Sequence, residues 1–207
     1  MRTVLLAPVA LLAFALASCA SPSEDGAPGA GSDGPVVLPV DVAVRAQGTV
    51  LQKGDATPQL CLGPIAESYP PQCGGPEILE WDWDAVDDEE SASGVTWGSY
   101  AVTGMWDGES FTLTQPAIPL ALYDPLTPDP DPRSDPATPG KLTDDEVTAI
   151  QDELAAERDT IGYLGSYPDN GYLWVEVMYD DGAIQSWLDE SYGEGRIAVI
   201  STLQPVS

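Results

Sequence analysis

Eight prolines, Pro116, Pro119, Pro125, Pro128, Pro130, Pro132, Pro136 and Pro139, fall within one short stretch of this 207-residue chain. Each proline fixes φ and removes a backbone donor, so neither a helix nor a central strand can run through them. Residues 116–141 are therefore expected to be a stiff, extended linker, with Ile118, Leu120, Leu122 and Tyr123 resting on one domain before the chain is released. The linker divides the folded part into two small units, 36–115 and 142–207.

The first unit reads as β. Val40, Val42 and Val44 alternate with Asp41, Ala43 and Arg45, the period of a half-buried strand. Gly48 marks a bend or bulge, and 49–52 resumes the extended run. Leu60-Cys61-Leu62 is a short strand, and 63–76 is a Pro/Gly-rich loop. Ile78, Leu79, Trp81 and Trp83 lead into a further strand with period-two aromatics, and 96–104 alternates again. Asp107-Gly108 is a hairpin turn, since glycine supplies the positive φ required, and Phe111 and Leu113 lie on the returning strand. About five short strands with tight turns predict a small antiparallel barrel, closed or nearly closed, the OB-like form being one option.

The second unit reads as α+β. Thr143-Asp144-Asp145-Glu146 is a capping box, and a helix should follow to about Arg158 with Val147, Ile150 and Leu154 buried. Residues 172–179 form a strand, and Asp181-Gly182 reads as a second hairpin turn. Residues 184–188 are a return strand or a short helix, and 196–203 a final strand. One helix on an antiparallel sheet is the expected arrangement.

The N-terminus carries a different signal. Arg2 precedes an apolar run from Val4 to Ala17, which is too short for a hydrocarbon core of about 30 Å. It suits the h-region of a secretory leader. The run closes on Leu16-Ala17-Ser18-Cys19, which resembles the bacterial lipoprotein signal at all four positions. The resemblance implies removal of residues 1–18, lipid chains such as palmitate on the Cys19 sulfur, and residence on the extracytoplasmic face of the cell membrane. An ordinary secretory leader with a chance cysteine is the alternative. Residues 19–35, rich in Ser, Pro, Gly and acid, cannot bury apolar surface and read as a flexible tether.

Three cysteines then divide into one for lipid and a pair, Cys61 and Cys73. Outside the cytoplasm the pair is expected to be oxidised, closing a loop that contributes about 3 kcal/mol in the chain-entropy picture. No neighbour would depress a thiol pKa and make either a catalytic nucleophile.

The formal charge is −27, and loss of Arg2 with the leader makes it −28. Phosphate backbones and anionic head groups would be repelled, so nucleic acid is excluded as a partner and membrane association falls to the lipid. Calcium, cationic peptides or a basic protein face remain electrostatically open, while solubility alone also accounts for such charge. Histidine is absent, which removes Ser-His-Asp and Cys-His systems and His-based metal sites.

Asp82, Asp84, Asp87 and Asp88, with Glu89 and Glu90, are the candidate calcium ligands, because hard oxygen donors suit that ion. Val86 and Asp87 break the EF-hand spacing, and charge runs are usually solvated loops. Trp81, Trp83, Trp97, Tyr100 and Trp106 could form a platform for sugar or peptide, or fill the barrel. A carboxylate pair for glycoside hydrolysis is a further alternative, although acids are too abundant for any pair to stand out. No phosphate loop or dinucleotide fingerprint is present.

The stretch 48–115 resembles a recurrent pattern in uncharacterised secreted proteins and lipoproteins of GC-rich bacteria. Matching positions include Gly48, Cys61, Gly63, Ser68, Pro70, Pro71, Cys73, Gly74, Trp81, Trp83, Gly104, Asp107, Gly108 and Phe111. The resemblance implies a shared disulfide-bearing fold and no particular activity. The expected function is a lipid-anchored, non-enzymatic binding module that meets another envelope protein or a basic ligand.

Overall fold

The computed structural model describes residues 41–125 and 130–206. The leader, the Cys19 lipid site, the whole tether and Val40 lie outside these residues.

Two 12-residue strands form the spine of the first half, β1 (Val42–Lys53) and β5 (Val95–Trp106). They pair antiparallel over their whole length, from Val42 opposite Trp106 to Lys53 opposite Val95. The register is unbroken at Gly48, so the expected bulge does not form. Glycine is needed there for another reason: a Cβ would lie 2.7 Å from the Cys61 carbonyl oxygen of the adjoining strand.

Shorter strands complete a curled sheet: β2 (Gln59–Cys61), β3 (Ile78–Leu79), β4 (Glu90–Ala92), β6 (Phe111–Leu113) and β7 (Ile118–Pro119). β2 lies on β1, while β4, β7 and β6 follow one another along the far edge of β5. β3 runs parallel to β6. The sheet then closes on itself through one bridge, Gln59 to Glu77. Leu60 N–H donates to Pro76 O at 2.9 Å and Ile78 N–H to Pro58 O at 2.9 Å. The circuit β1-β2-β3-β6-β5 makes a curled, barrel-like sheet. Tyr100, Phe111, Leu60, Ile78, Val44 and Val50 fill its interior.

The aromatic run after β3 does not extend the strand. Glu80 has positive φ, and Trp83–Ala85 turns into a short 3₁₀ segment capped by Asp82. Trp81 and Trp83 instead fold back edge-on against Tyr100. Burying two indoles against the barrel outweighs the period-two pattern.

The second half contains α1 (Asp144–Ala156), α2 (Arg158–Ile161), β8 (Tyr163–Asp169), β9 (Tyr172–Val177), α3 (Ala183–Tyr192) and β10 (Ile197–Ser201). Both bonds of the capping box form at Thr143 and Glu146, and Val147, Ile150 and Leu154 are the buried stripe of α1. β8 and β9 are a hairpin turned at Asn170-Gly171, both with positive φ, a signal that the sequence reading passed over. Asp181-Gly182 is not a hairpin turn. Ile184, Leu188 and Tyr192 recur every four residues, the helical period, and the segment forms α3. A helical crossover delivers β10 parallel to β9, so the three-stranded sheet is mixed rather than antiparallel. α1 and α3 both pack on the sheet face that carries Leu173, Val175 and Val177.

The proline-rich stretch is not a free spacer at its ends. β7 pairs with Tyr100 and Ala101 of the barrel. On the other side Arg133 donates to Ile197 O at 3.1 Å, and Asn170 Nδ2 donates to the Arg133 and Asp135 carbonyls. The two halves are also stitched directly. After β10 the chain returns to the barrel, where β11 (Gln204–Pro205) pairs with Val44 and Arg45. Leu203, fully buried, belongs to the barrel core although it follows the last strand of the second half.

Candidate functional site

The seam between the halves opens into a cleft of about 630 Å³, within the range of small-molecule and peptide pockets. The hairpin joining β5 and β6 forms one wall. Its shape is set by Asp107, whose Oδ1 accepts the N–H groups of Glu109 and Ser110 at 2.8 and 2.7 Å. Those donors hold the Asp107 carboxyl below its usual pKa. Gly75 and Pro76 close another side. A Cβ at Gly75 would sit 1.9 Å from Leu60 O, so only glycine lets this segment lie against β2.

The opposite wall is α2 and its left-handed C-cap, Gly162. Gly162 O accepts from Met178 N at 2.9 Å, while Met178 O accepts from Leu203 N at 2.8 Å. This pair of bonds ties the wall to the strand that returns to the barrel. Ile184 reaches the cleft from the first turn of α3. Asp180 orients that turn, its Oδ1 accepting from Gly182 and Ile184 at 2.9 Å.

The floor is apolar: Trp106, Ile161, Ile184 and Met178, the first three buried. The rim is acidic, with Asp107, Glu109 and Asp159 all exposed. Tyr179 also lines the cleft, its phenol raised in pKa by burial and by Asp181 and Asp180. A second groove of about 330 Å³ continues past Gly75, Asp159, Gly162 and Met178 toward Gly63 and Leu164. There Arg158 turns its guanidinium over the Tyr163 ring, 5.8 Å from the centroid.

The other site candidates fare differently. Cys61 and Cys73 are joined in a disulfide, with Cα atoms 5.8 Å apart. The acidic run 82–90 is not assembled into a metal site: among the described residues no group of three or more His, Cys, Asp or Glu side chains converges. Asp82 accepts from Asp84 N at 3.0 Å, Asp87 offers its carbonyl to the Tyr100 hydroxyl at 3.1 Å, and Asp88 sits at positive φ. These acids shape a loop, and burial, with the charges of Glu89, Asp88 and Asp87, pushes the Tyr100 pKa up to about 12.

The aromatic group is split. Trp81, Trp83 and Tyr100 pack together, Trp97 sits with Tyr69 on the disulfide side, and Trp106 alone reaches the cleft. Met178, Tyr179, Ile184 and the 159–162 turn were not identified from sequence. Each belongs to the half opposite Trp106, and nothing local announces that the halves meet there.

No family model, curated protein or solved structure matches this chain. Among the described residues no helix is long and apolar enough to cross a membrane.

Proposed function

We propose that this chain is a lipid-anchored protein on the extracytoplasmic face of the cell membrane, whose folded part is a non-enzymatic binding module. The single observation that carries the binding reading is the composite cleft, an apolar floor under an acidic rim assembled from both halves. Such a cleft exists only when barrel and α/β unit are docked. The anchor rests on the Leu16-Ala17-Ser18-Cys19 sequence and the preceding leader. The disulfide agrees with an oxidising compartment. More than one acyl chain would hold the protein durably, without help from a surface that anionic lipid repels.

The anchor is tested by expressing Cys19→Ala protein and fractionating the cells after labelling with an alkyne palmitate. Loss of label, with either an uncleaved precursor or release to the medium, is expected. Processed, unlabelled protein retained normally on the membrane would overturn the anchor. The binding role is tested by crosslinking in intact cells through a photoreactive residue at Met178. Capture of a stoichiometric partner or ligand is expected, and its absence with efficient activation would count against the module.

A further inference from the structure

We infer that the seam cleft takes a cationic peptide segment, an apolar side chain entering the floor while flanking Lys or Arg side chains meet the rim. This rests on the binding reading above and names the ligand class.

The floor argues for the apolar element. Trp106, Ile161 and Ile184 are between 1% and 5% exposed, so the cleft is floored by the packed cores of both halves rather than by loose surface groups. A Leu- or Phe-sized side chain entering it removes apolar surface from water on both partners.

The rim argues for the cation. Asp107, Glu109 and Asp159 face the opening, and Asp180 and Asp181 adjoin Tyr179. Among the described residues the ion pairs are Arg133–Asp131 and Arg196–Glu146, and neither lies at the cleft. Arg158, which lines the adjoining groove beside Asp159, holds its guanidinium over the Tyr163 ring and forms no ion pair. Among the described residues the rim carboxylates form no ion pair, and they lie over a low-dielectric floor, where opposite charge is attracted more strongly than at open surface. An anionic or phosphate-bearing ligand would meet repulsion at the same opening.

The test is calorimetric titration of the purified full-length protein with acetyl-Lys-Leu-Lys-amide and with its neutral counterpart, acetyl-Nle-Leu-Nle-amide. The cationic peptide should bind at least about tenfold tighter, a gap of roughly 1.4 kcal/mol, and should weaken as salt rises from 50 to 300 mM in this test. Glu109→Lys/Asp159→Lys should lose about tenfold in affinity for the cationic peptide, and the milder Glu109→Gln/Asp159→Asn about threefold. Asp55→Lys/Glu90→Lys makes the same change in net charge away from the cleft and should leave affinity within about twofold, since exposed charges beyond a Debye length are screened.

Equal loss in both reversal variants would overturn the site in favour of a diffuse field. Equal binding of the two peptides would overturn the cationic assignment while leaving a binding cleft in place. Failure of both peptides to bind, with captured partner still found at Met178, would overturn the peptide class alone. Failure of both together with empty capture would remove the binding reading as well.

Discussion

The two halves of the molecule are held together by different physics. The barrel joins residues far apart in sequence: β1 to β5, Gln59 of β2 to Glu77 through one bridge, and β3 to β6. Its loops are long and irregular, and a covalent bond, Cys61–Cys73, closes the largest of them onto the sheet edge. The α/β half is mostly local. Helix, hairpin and helix follow one another, and its aliphatic core is built from Val147, Ile150, Leu154, Leu173, Val175, Leu188 and Ile197. Both described ion pairs belong to that half or to the segment docked on it. A non-local barrel needs a staple and a closing bridge, whereas a local unit can rest on caps and packing. The cleft lies where the two meet.

The sharpest challenge to this division is Leu203, which the α/β half contributes to the barrel core. Leu203→Ala should cost about 2 to 5 kcal/mol, as for other fully buried leucines. Far-UV dichroism, which follows the helices, and tryptophan fluorescence, which includes the barrel indoles, should shift together in urea. A shift in only one signal would show two independently folding units. Next comes the staple: Cys61→Ala/Cys73→Ala should lose about 3 kcal/mol, read as a lower urea midpoint. The Trp97 environment, next to the disulfide cluster, should be the first to change.

Asp180→Ala should cost about 1 kcal/mol, because it strips acceptors from the first turn of α3. The melting temperature should fall, and the Ile184 edge of the cleft should gain amide exchange. Tyr100→Phe sharpens the comparison on the barrel side. Its hydroxyl bonds to the Asp87 carbonyl, so about 1 kcal/mol should be lost at neutral pH. The Tyr100 pKa is raised to about 12 in the folded state, so its contribution is complete below the unfolded value of about 10. The contribution is lost as pH rises from there through 12. Stability measured between these limits should fall less steeply in the Phe variant. Tyr192, buried and bonded to Glu153, is raised too and should keep part of the alkaline slope in the other half.

The smallest effect is expected at Asp131→Asn. The Arg133 pair is about one-third exposed, so less than about 1 kcal/mol is at stake. The Asp131 carboxyl is held below its usual value by Arg133. Its contribution is therefore present above the unfolded pKa of about 4 and is lost as pH falls through the lower folded value. Acid melts of the Asn variant should converge with the parent at low pH. Persistent difference there would show that the pair acts through shape rather than charge.

Much of this fold was legible before the structure. The capping box at Thr143, the Val147-Ile150-Leu154 stripe, the Asp107-Gly108 hairpin and the cysteine pair are local features, and all form. Where the reading failed, long-range packing overrode a local pattern. Trp81 and Trp83 have strand spacing but fold back onto Tyr100. Asp181-Gly182 has turn chemistry, but Ile184, Leu188 and Tyr192 carry the chain into a helix that reverses the expected strand direction. The candidate site was the least legible part. Trp106 and the acidic turn beside it could be named, yet Met178, Gly162 and Ile184 acquire a role only through the return of β11 to β1. That pairing links the two ends of the described chain and leaves no short-range trace.

The most direct measurement is hydrogen exchange on the full-length protein with and without acetyl-Lys-Leu-Lys-amide. Slowed exchange confined to 105–110, 159–162 and 178–185, segments from both halves, is the predicted result. Unchanged exchange at these three segments, with protection elsewhere or none, would contradict a ligand cleft at the seam.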